Sequence, residues 1–560
     1  MELPDYIKNP IWKDHMPPGL TLEIDLPEDI SLGDVFKMGA DNYGDKVNIV
    51  FAGKEYTFKE MYDLIIRFAN ALLKLGVQQG DVVAIWLPNC PHFAISYFAS
   101  LTIGATVTAI SPLYVGREMA YQIKDSGATF LIIIDRFLKQ YKRTEKKLQL
   151  KKTIIVNVEG GVPDEPETDK IVHFNTLMDE NPEPKPILDI KIKPMEDIAV
   201  IQYTGGTTGL PKGAELSHYN IVSNILQIKQ VSVYMKEQYL KEDVVSISVL
   251  PWYHIYGQTC EVALAPFIGS KGFIFPTFDM GKIFELMKNE KPNTMLGVPT
   301  MFLNLLNSPL AKDVDFSCLK YVNVGASAMP IEAAKEWERR SGFAMGEGYG
   351  LSETSPGVTN SPPWARKKDG SCGTPTASTL VGIINENLEF LPVGEAGELV
   401  VSGPQVMLGY HNRPEENKLV FFEAGGYRWL RTGDFARLDD EGYIYILDRI
   451  KDLIKYKGHS VYPREIEEIL YEHPAVQECS VIGVKDPVKG EDIKAYIILR
   501  KEYRGQITEQ EIIEWSKENL AAYKYPRMVE FVRSLPKSAV GKVLRKDLRE
   551  KAAKKAAKKK

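Results

Sequence analysis

Cysteine is scarce in this chain: five residues in 560, at Cys90, Cys260, Cys318, Cys372 and Cys479, with no CxxC pair. That spacing indicates neither a disulfide framework nor a zinc site, and it fits a reducing cytoplasm. No charge of one sign dominates. The net charge of -5 gives no reason to expect a nucleic-acid partner. The N-terminus, MELPDYIKNPIWKDH, lacks an apolar stretch of signal-peptide length. The segment Pro88 to Gly116, free of charged residues, is broken by Pro91, Gly104 and Pro112 and is rich in Ser, Thr and Gly. A spanning helix wants about 20 mostly apolar residues, so this segment reads as a buried helix running into a core strand. No repeat of fixed period is present.

What is there is globular. Hydrophobic content is 44% and charged content 26%. A chain of this length divides into domains. Thr57-Phe-Lys-Glu60 is a capping box that opens a helix ending near Gly76. Strand-like runs follow at Val82–Leu87, Phe130–Ile134, Ile198–Tyr203, Val244–Leu250, Gly272–Phe275, Thr294–Val298 and Tyr321–Val324. Several lead into helical patterns, which argues for α/β layers. Val158–Glu183, rich in Asp, Glu and Pro, reads as a surface excursion. After Asp448–Asp452 the pattern becomes compact: a helix from Tyr462-Pro463, strands at Val476–Val484 and Ile493–Leu499, and a helix at Glu509–Leu520. The expected architecture is therefore a large multi-layered N-terminal α/β domain (1–448) and a small mobile C-terminal α+β domain (449–560). The last ten residues, KAAKKAAKKK, put Lys551, Lys554, Lys555, Lys558 and Lys559 on one helical face. They read as a solvated, fraying tail; weak peripheral attraction to acidic membranes is the sharper alternative.

Five segments carry chemistry. Tyr203-Thr-Gly-Gly-Thr-Thr-Gly-Leu-Pro-Lys-Gly213 follows an apolar strand. Its glycines let backbone N–H groups turn inward as an anion nest, with hydroxyls at Thr204, Thr207 and Thr208 and a point charge at Lys212. Pro211 before Lys212 and Gly213 after it exclude a Walker A loop. Gly346-Glu-Gly-Tyr-Gly-Leu-Ser-Glu-Thr354 supplies an aromatic ring, Tyr349, for a base, and a carboxylate, Glu353, for Mg²⁺ beside phosphates. Arg431-Thr-Gly-Asp434 places an Asp where it can accept ribose hydroxyls; an ordinary Asx-turn is the plain alternative. Asp448-Arg449 leads into Lys451, Lys455, Lys457 and Gly458. Pro536-Lys-Ser-Ala-Val-Gly-Lys542 holds a lysine on a turn.

Together these segments resemble the adenylate-forming family of acyl-CoA synthetases, adenylation domains and luciferases, closest in appearance to fatty acid–CoA ligases. The resemblance runs from about Thr57 to Leu548 with the motifs in order. Ser352 stands where the family's YGxTE motif has threonine. Gly397–Pro404 and Asp448–Glu467 match later motifs. The resemblance implies roles. Thr204, Gly205, Gly206, Thr207, Thr208, Gly209 and Lys212 would hold the pyrophosphate portion of ATP. Gly325, Ala326, Ser327, Gly348, Tyr349, Gly350 and Ser352 would surround the adenine. Asp434 and Arg449 would hold the ribose, and Glu353, with Thr204, the Mg²⁺. Lys542 would bridge the substrate carboxylate and the nucleotide. Lys451 would be the hinge about which the small domain turns, bringing Lys457 and Gly458 to the site for transfer to coenzyme A. Lys455 matches a lysine important in coumarate–CoA ligases, whose nearby glutamine is Ser460 here.

The family places the acid behind Pro251-Trp-Tyr-His-Ile-Tyr-Gly257, which offers His254, Tyr256 and Gly257, and near Val298, Pro356 and Gly357. No carboxylate stands in 251–257 to pair with an amine, which argues for an acid without one. The small Gly357 suggests a roomy tunnel and a medium- or long-chain fatty acid. An aryl acid is the alternative, because Tyr256 suits a flat pocket. Readings of other classes are a luciferase-like oxygenase and a nucleotide-binding protein without turnover. A homodimer is compatible with the sequence, which does not specify it.

Overall fold

Local signals start the elements where the sequence places them. The Thr57 side chain accepts from Glu60 N at 3.1 Å, and Glu60 returns a bond to Thr57 N at 2.8 Å, opening the helix Phe58–Lys74. Ser217 does the same for His218–Met235 through Asn220. The computed structural model describes residues 2–15, 20–187, 190–204, 210–361, 366–457, 459–486, 490–538 and 541–557.

Among these residues the strands form sheets of nine, eight, five and five. In the nine-stranded sheet, Gly346–Gly350, Tyr321–Val324, Thr294–Gly297, Val245–Ser248, Lys271–Ile274 and Val47–Phe51 run parallel as successive neighbours. The eight-stranded sheet has a parallel block centred on Val82–Trp86 and Phe130–Ile134. The sequence Phe-Leu-Ile-Ile-Ile is buried at every position there, as a strand covered on both faces must be. Lys212–Ser217 folds back antiparallel on Ile198–Thr204, and Gly409–Tyr410 pairs with it. A third, antiparallel sheet carries Tyr427–Leu438 and Ile444–Arg449. The small C-terminal domain has its own sheet, including Val476–Asp486, Gly490–Leu499 and Met528–Phe531, over a core of Ile466, Leu470, Val481 and Ile497.

Pro88–Gly116 is the buried helix Pro91–Thr102 followed by the core strand Thr106–Ala109. No described helix is long and apolar enough to cross a membrane. Two surface expectations are corrected. The 158–183 segment contributes an edge strand, Ile171–His173, and a short helix that buries Phe174, Leu177 and Met178. The C-terminal helix, Arg545–Ala557, is docked through its described part: Leu548 and Ala552, four apart on one face, pack with Ile482, Tyr496 and Leu535. Lys551 and Lys555 share Glu530, at 3.6 and 3.1 Å. Residues 558–560 lie outside the described residues.

Candidate active site

The parallel strands end at a cleft of about 1090 Å³ whose walls come from the large domain and the small one. Ligands of open α/β sheets sit beyond the carboxyl ends of the strands. Tyr349 stands at such an end, and its Oη donates to Asp434 Oδ2 at 2.6 Å. Asp434 faces Arg449 across the antiparallel ladder, and Arg449 Nε lies 3.0 Å from Asp434 Oδ1. The buried carboxylate is thus held at both oxygens, and it keeps lone pairs for further donors. Burial and Asp434 hold the Tyr349 phenol well above its ordinary value, so it stays protonated. Gly325, Ala326 and Ser327 follow the adjacent strand and line the same wall, with Ser352 and the backbones of Gly348 and Gly350. Gly350 is required by a close approach, since a Cβ there would lie 2.1 Å from the Pro356 carbonyl oxygen.

Thr204 and Lys212 are directly paired in the hairpin that carries the glycine-rich loop. Gly205, Gly206, Thr207, Thr208 and Gly209 lie outside the described residues, as does Gly458. The Lys212 ammonium pairs with Glu416 and lies 5.1 Å from the centre of the Tyr410 ring. Desolvation, then the Lys451 charge, depress its pKa. Glu353 sits in the turn Ser352–Thr354, where its Oε1 accepts from Tyr410 Oη at 2.6 Å. Among the described residues no three metal-binding side chains cluster. A single carboxylate lining the cleft near Thr204 and Lys212 fits Mg²⁺, which is held by one or two carboxylates and substrate phosphates.

Lys542 reaches the cleft from the small domain. Ser538 N donates to Lys542 O at 2.7 Å, and Lys542 N donates to Ser538 Oγ at 3.2 Å. Gly541 has φ 75°, and a Cβ there would lie 2.7 Å from Thr300 Oγ1 and 3.3 Å from Val298 Cγ2. The missing side chain is what lets the turn close on the large domain. The nearby Arg449 guanidinium, then desolvation, push the Lys542 ammonium down to about 8, with Asp434 opposing. The junction is pinned by Arg545, which bonds Asp448 at 2.6 Å and Glu467 at 2.7 Å, and by Arg549 on Asp452 at 2.8 Å. Lys451 lines the cleft. Lys455 and Lys457 do not: both are exposed, Lys455 bonded to Ser460 Oγ at 2.8 Å and Lys457 beside Tyr456.

A second arm of the cleft runs under the nine-stranded sheet. His254 Nδ1 accepts from Tyr256 N at 3.2 Å, and burial pushes its imidazole down to about 4, so it is neutral at pH 7. Tyr256 lines the arm, with its ring against Gly325. Pro356 and Gly357 line it as well. Gly357 exchanges two bonds with the Asn224 side chain, at 3.0 and 2.9 Å, and its own Cβ position points at that amide. Gly257 and Val298 stand behind the wall. A Cβ on Gly257 would lie 2.4 Å from Pro251 O, so this glycine closes the turn that presents His254. Farther in, Ile228, Val231 and Met235 face the sheet. Glu261 also lines the arm, four residues beyond the stretch that lacks a carboxylate. It accepts from Ser248 Oγ, Trp252 Nε1 and the N–H groups of Val249 and Leu250, and burial raises it to about 7.

Tyr410, Glu416, Asn224, Glu261 and Arg545 escaped the sequence reading. Arg545 had a local cue, its closeness to Lys542, and Glu261 meets donors 9–13 residues back; Tyr410, Glu416 and Asn224 act on partners distant in sequence.

A family model described as AMP-binding enzyme matches residues 36–411, and one described as AMP-binding enzyme C-terminal domain matches 465–542. A long-chain-fatty-acid–CoA ligase of Bacillus subtilis (strain 168) is 36% identical, over 96% of this chain and 97% of its own length. A 4-coumarate–CoA ligase of Pinus taeda is 34% identical, over 89% and 90%. Among solved structures, an anthranilate CoA ligase in complex with anthranoyl-AMP aligns with a TM-score of 0.84 at 26% identity, over 95% of this chain and 99% of that one. The chain belongs to the AMP-binding enzyme family and is an AMP-forming acid–CoA ligase that uses ATP, Mg²⁺ and coenzyme A.

Proposed function

We propose that the acid is a medium- or long-chain fatty acid. The observation that carries this reading is the second arm: it continues past His254 and Tyr256 under the sheet, walled on the helix side by Ile228, Val231 and Met235. An alkyl chain gains roughly 0.8 kcal/mol for each buried CH₂, which a blunt pocket does not offer.

The residues then divide the work. Asp434 accepts from the ribose hydroxyls and Arg449 orients them, Tyr349 flanks the adenine, and Thr204 with Lys212 anchors the phosphate loop. Binding of the triphosphate exchanges the Glu416 partner of Lys212 for phosphate oxygens. Glu353 would hold Mg²⁺, which would supply neutralisation of charge on the phosphates. A carboxylate and a polyanion repel by about 4 kcal/mol per unit-charge pair at 4 Å and an effective dielectric near 20. Lys542 offsets that repulsion as the carboxylate oxygen attacks the α-phosphorus and pyrophosphate leaves. The thiol sulfur of coenzyme A then attacks the acyl carbon, and AMP leaves. The domain boundary lies near residue 448 with the hinge at Lys451. Lys542 lining the cleft, with Lys455 and Lys457 exposed outside it, supports assigning this arrangement to the first step, with rotation at the hinge exchanging the two faces for the second.

The test is AMP release across alkyl acids of graded length and aryl acids, with and without coenzyme A. Highest kcat/KM for alkyl acids with about ten or more carbons supports the reading. Turnover confined to aryl acids replaces it.

A further inference from the structure

The floor of the acid arm is not uniformly apolar. Ser246 pairs in register with Thr294 on the adjacent strand, and Thr294 pairs in register with Tyr321 on the next. In parallel strands, residues in register point to the same face. All three line the cavity, so the floor carries a row of three hydroxyls across its inner end. Nearer the nucleotide the floor is Leu296 and Asn323, then Gly325.

These hydroxyls are only partly satisfied by the protein. Ser246 Oγ donates to Lys271 O and Thr294 Oγ1 to Val245 O, each at 3.4 Å, the long limit of such bonds. Both oxygens keep acceptor capacity. Tyr321 Oη receives the Asn323 amide at 3.5 Å, a bond that uses none of its own hydrogen. An alkyl end seated here strips water from the three groups and returns nothing. A hydroxyl or keto oxygen replaces the lost bonds.

The position of the row can be counted. Tyr321 lies four residues before Gly325, which is about 13 Å at the strand rise of about 3.3 Å per residue. An extended chain advances about 1.2 Å per bond, so the row faces about the tenth or eleventh carbon of an acyl chain whose carboxylate lies beside Gly325. Resting on the reading that this arm holds the acyl chain, we propose that it selects acids oxygenated about ten carbons from the carboxylate, with Ser246, Thr294 and Tyr321 as the specificity-determining residues.

The experiment compares kcat/KM for decanoic and 10-hydroxydecanoic acids, with hexadecanoic and 4-coumaric acids as references, in AMP release with coenzyme A. The wild-type enzyme is expected to use the hydroxy acid at least as well as decanoate. In the S246A/T294V double variant the hydroxy-to-alkyl ratio is expected to fall about tenfold or more, with decanoate turnover kept or raised. Tyr321→Phe, which removes one oxygen and keeps the ring, is expected to lower the same ratio and serves should the double variant not fold. The proposal is overturned if wild type prefers decanoate a hundredfold, or if the ratio is unchanged in the variants while both acids are used. If both alkyl acids are inert and 4-coumarate is turned over, the fatty-acid reading fails and takes this proposal with it.

Discussion

Lys542 offers the sharpest test of the adenylation geometry. Its ammonium shares the cleft with the Arg449 guanidinium, and that charge first, desolvation second, bring its pKa down to about 8. A lysine that must carry charge to the transition state is then lost in the mildly alkaline range. One unit above the pKa, near pH 9, roughly a tenth of the free enzyme keeps the proton, and kcat/KM reports the free enzyme. ATP–pyrophosphate exchange at low ATP should therefore fall about tenfold per pH unit above about 8. In Lys542→Arg the guanidinium stays charged, so the descending limb disappears even though the altered reach lowers the rate. Arg449→Gln removes the leading cause and moves the limb up, toward the ordinary lysine value. Lys542 is exposed along the cleft, so added salt screens Arg449 and moves the limb the same way. Stability has the opposite sense from activity. The folded pKa lies below the unfolded one, so between about 8 and the ordinary lysine range the unfolded chain binds more protons, and stability rises with pH. At pH 7, Lys542→Met relieves the repulsion and should raise the melting temperature while abolishing exchange. Wild-type exchange that stays flat through pH 9.5, or a limb that persists in Lys542→Arg, refutes the reasoning.

Tyr410→Phe removes the 2.6 Å bond to Glu353; loss of such a supporting bond typically weakens metal use about 10–100-fold, read as a higher Mg²⁺ concentration for half-maximal exchange. Gly357→Val drives a side chain onto Asn224 and breaks the two bonds between them. The expected loss of about 1–3 kcal/mol should be uniform across acids of all lengths, whereas Val231→Phe, inside the arm, should cost about ten- to a hundredfold in kcat/KM only beyond one chain length. Arg545→Met leaves Asp448 and Glu467 without their largely buried cation; a cost of about 3–5 kcal/mol should appear as a lower melting temperature of the small domain, with faster proteolysis near residues 448–452.

Much of the architecture is written in short-range patterns. The strand Phe130–Ile134 is five apolar residues that only a doubly covered position accepts, and the Thr57–Glu60 box closes within one turn of helix. The glycine-rich loop, Tyr349 with Glu353, and Lys542 are legible for the same reason: each motif is a few residues whose backbone must turn tightly or whose side chain must meet charge. The tertiary structure alone decided which groups meet. Tyr349 finds Asp434 85 residues away, Gly357 finds Asn224 across 133, and Arg545 spans 97 to Asp448. No local pattern singles out Glu261, which the fold surrounds with four donors. The row Ser246–Thr294–Tyr321 exists only as strand register. Local propensity and periodicity act over a few residues, whereas charge pairing and desolvation depend on distance in space, which a chain acquires only by folding.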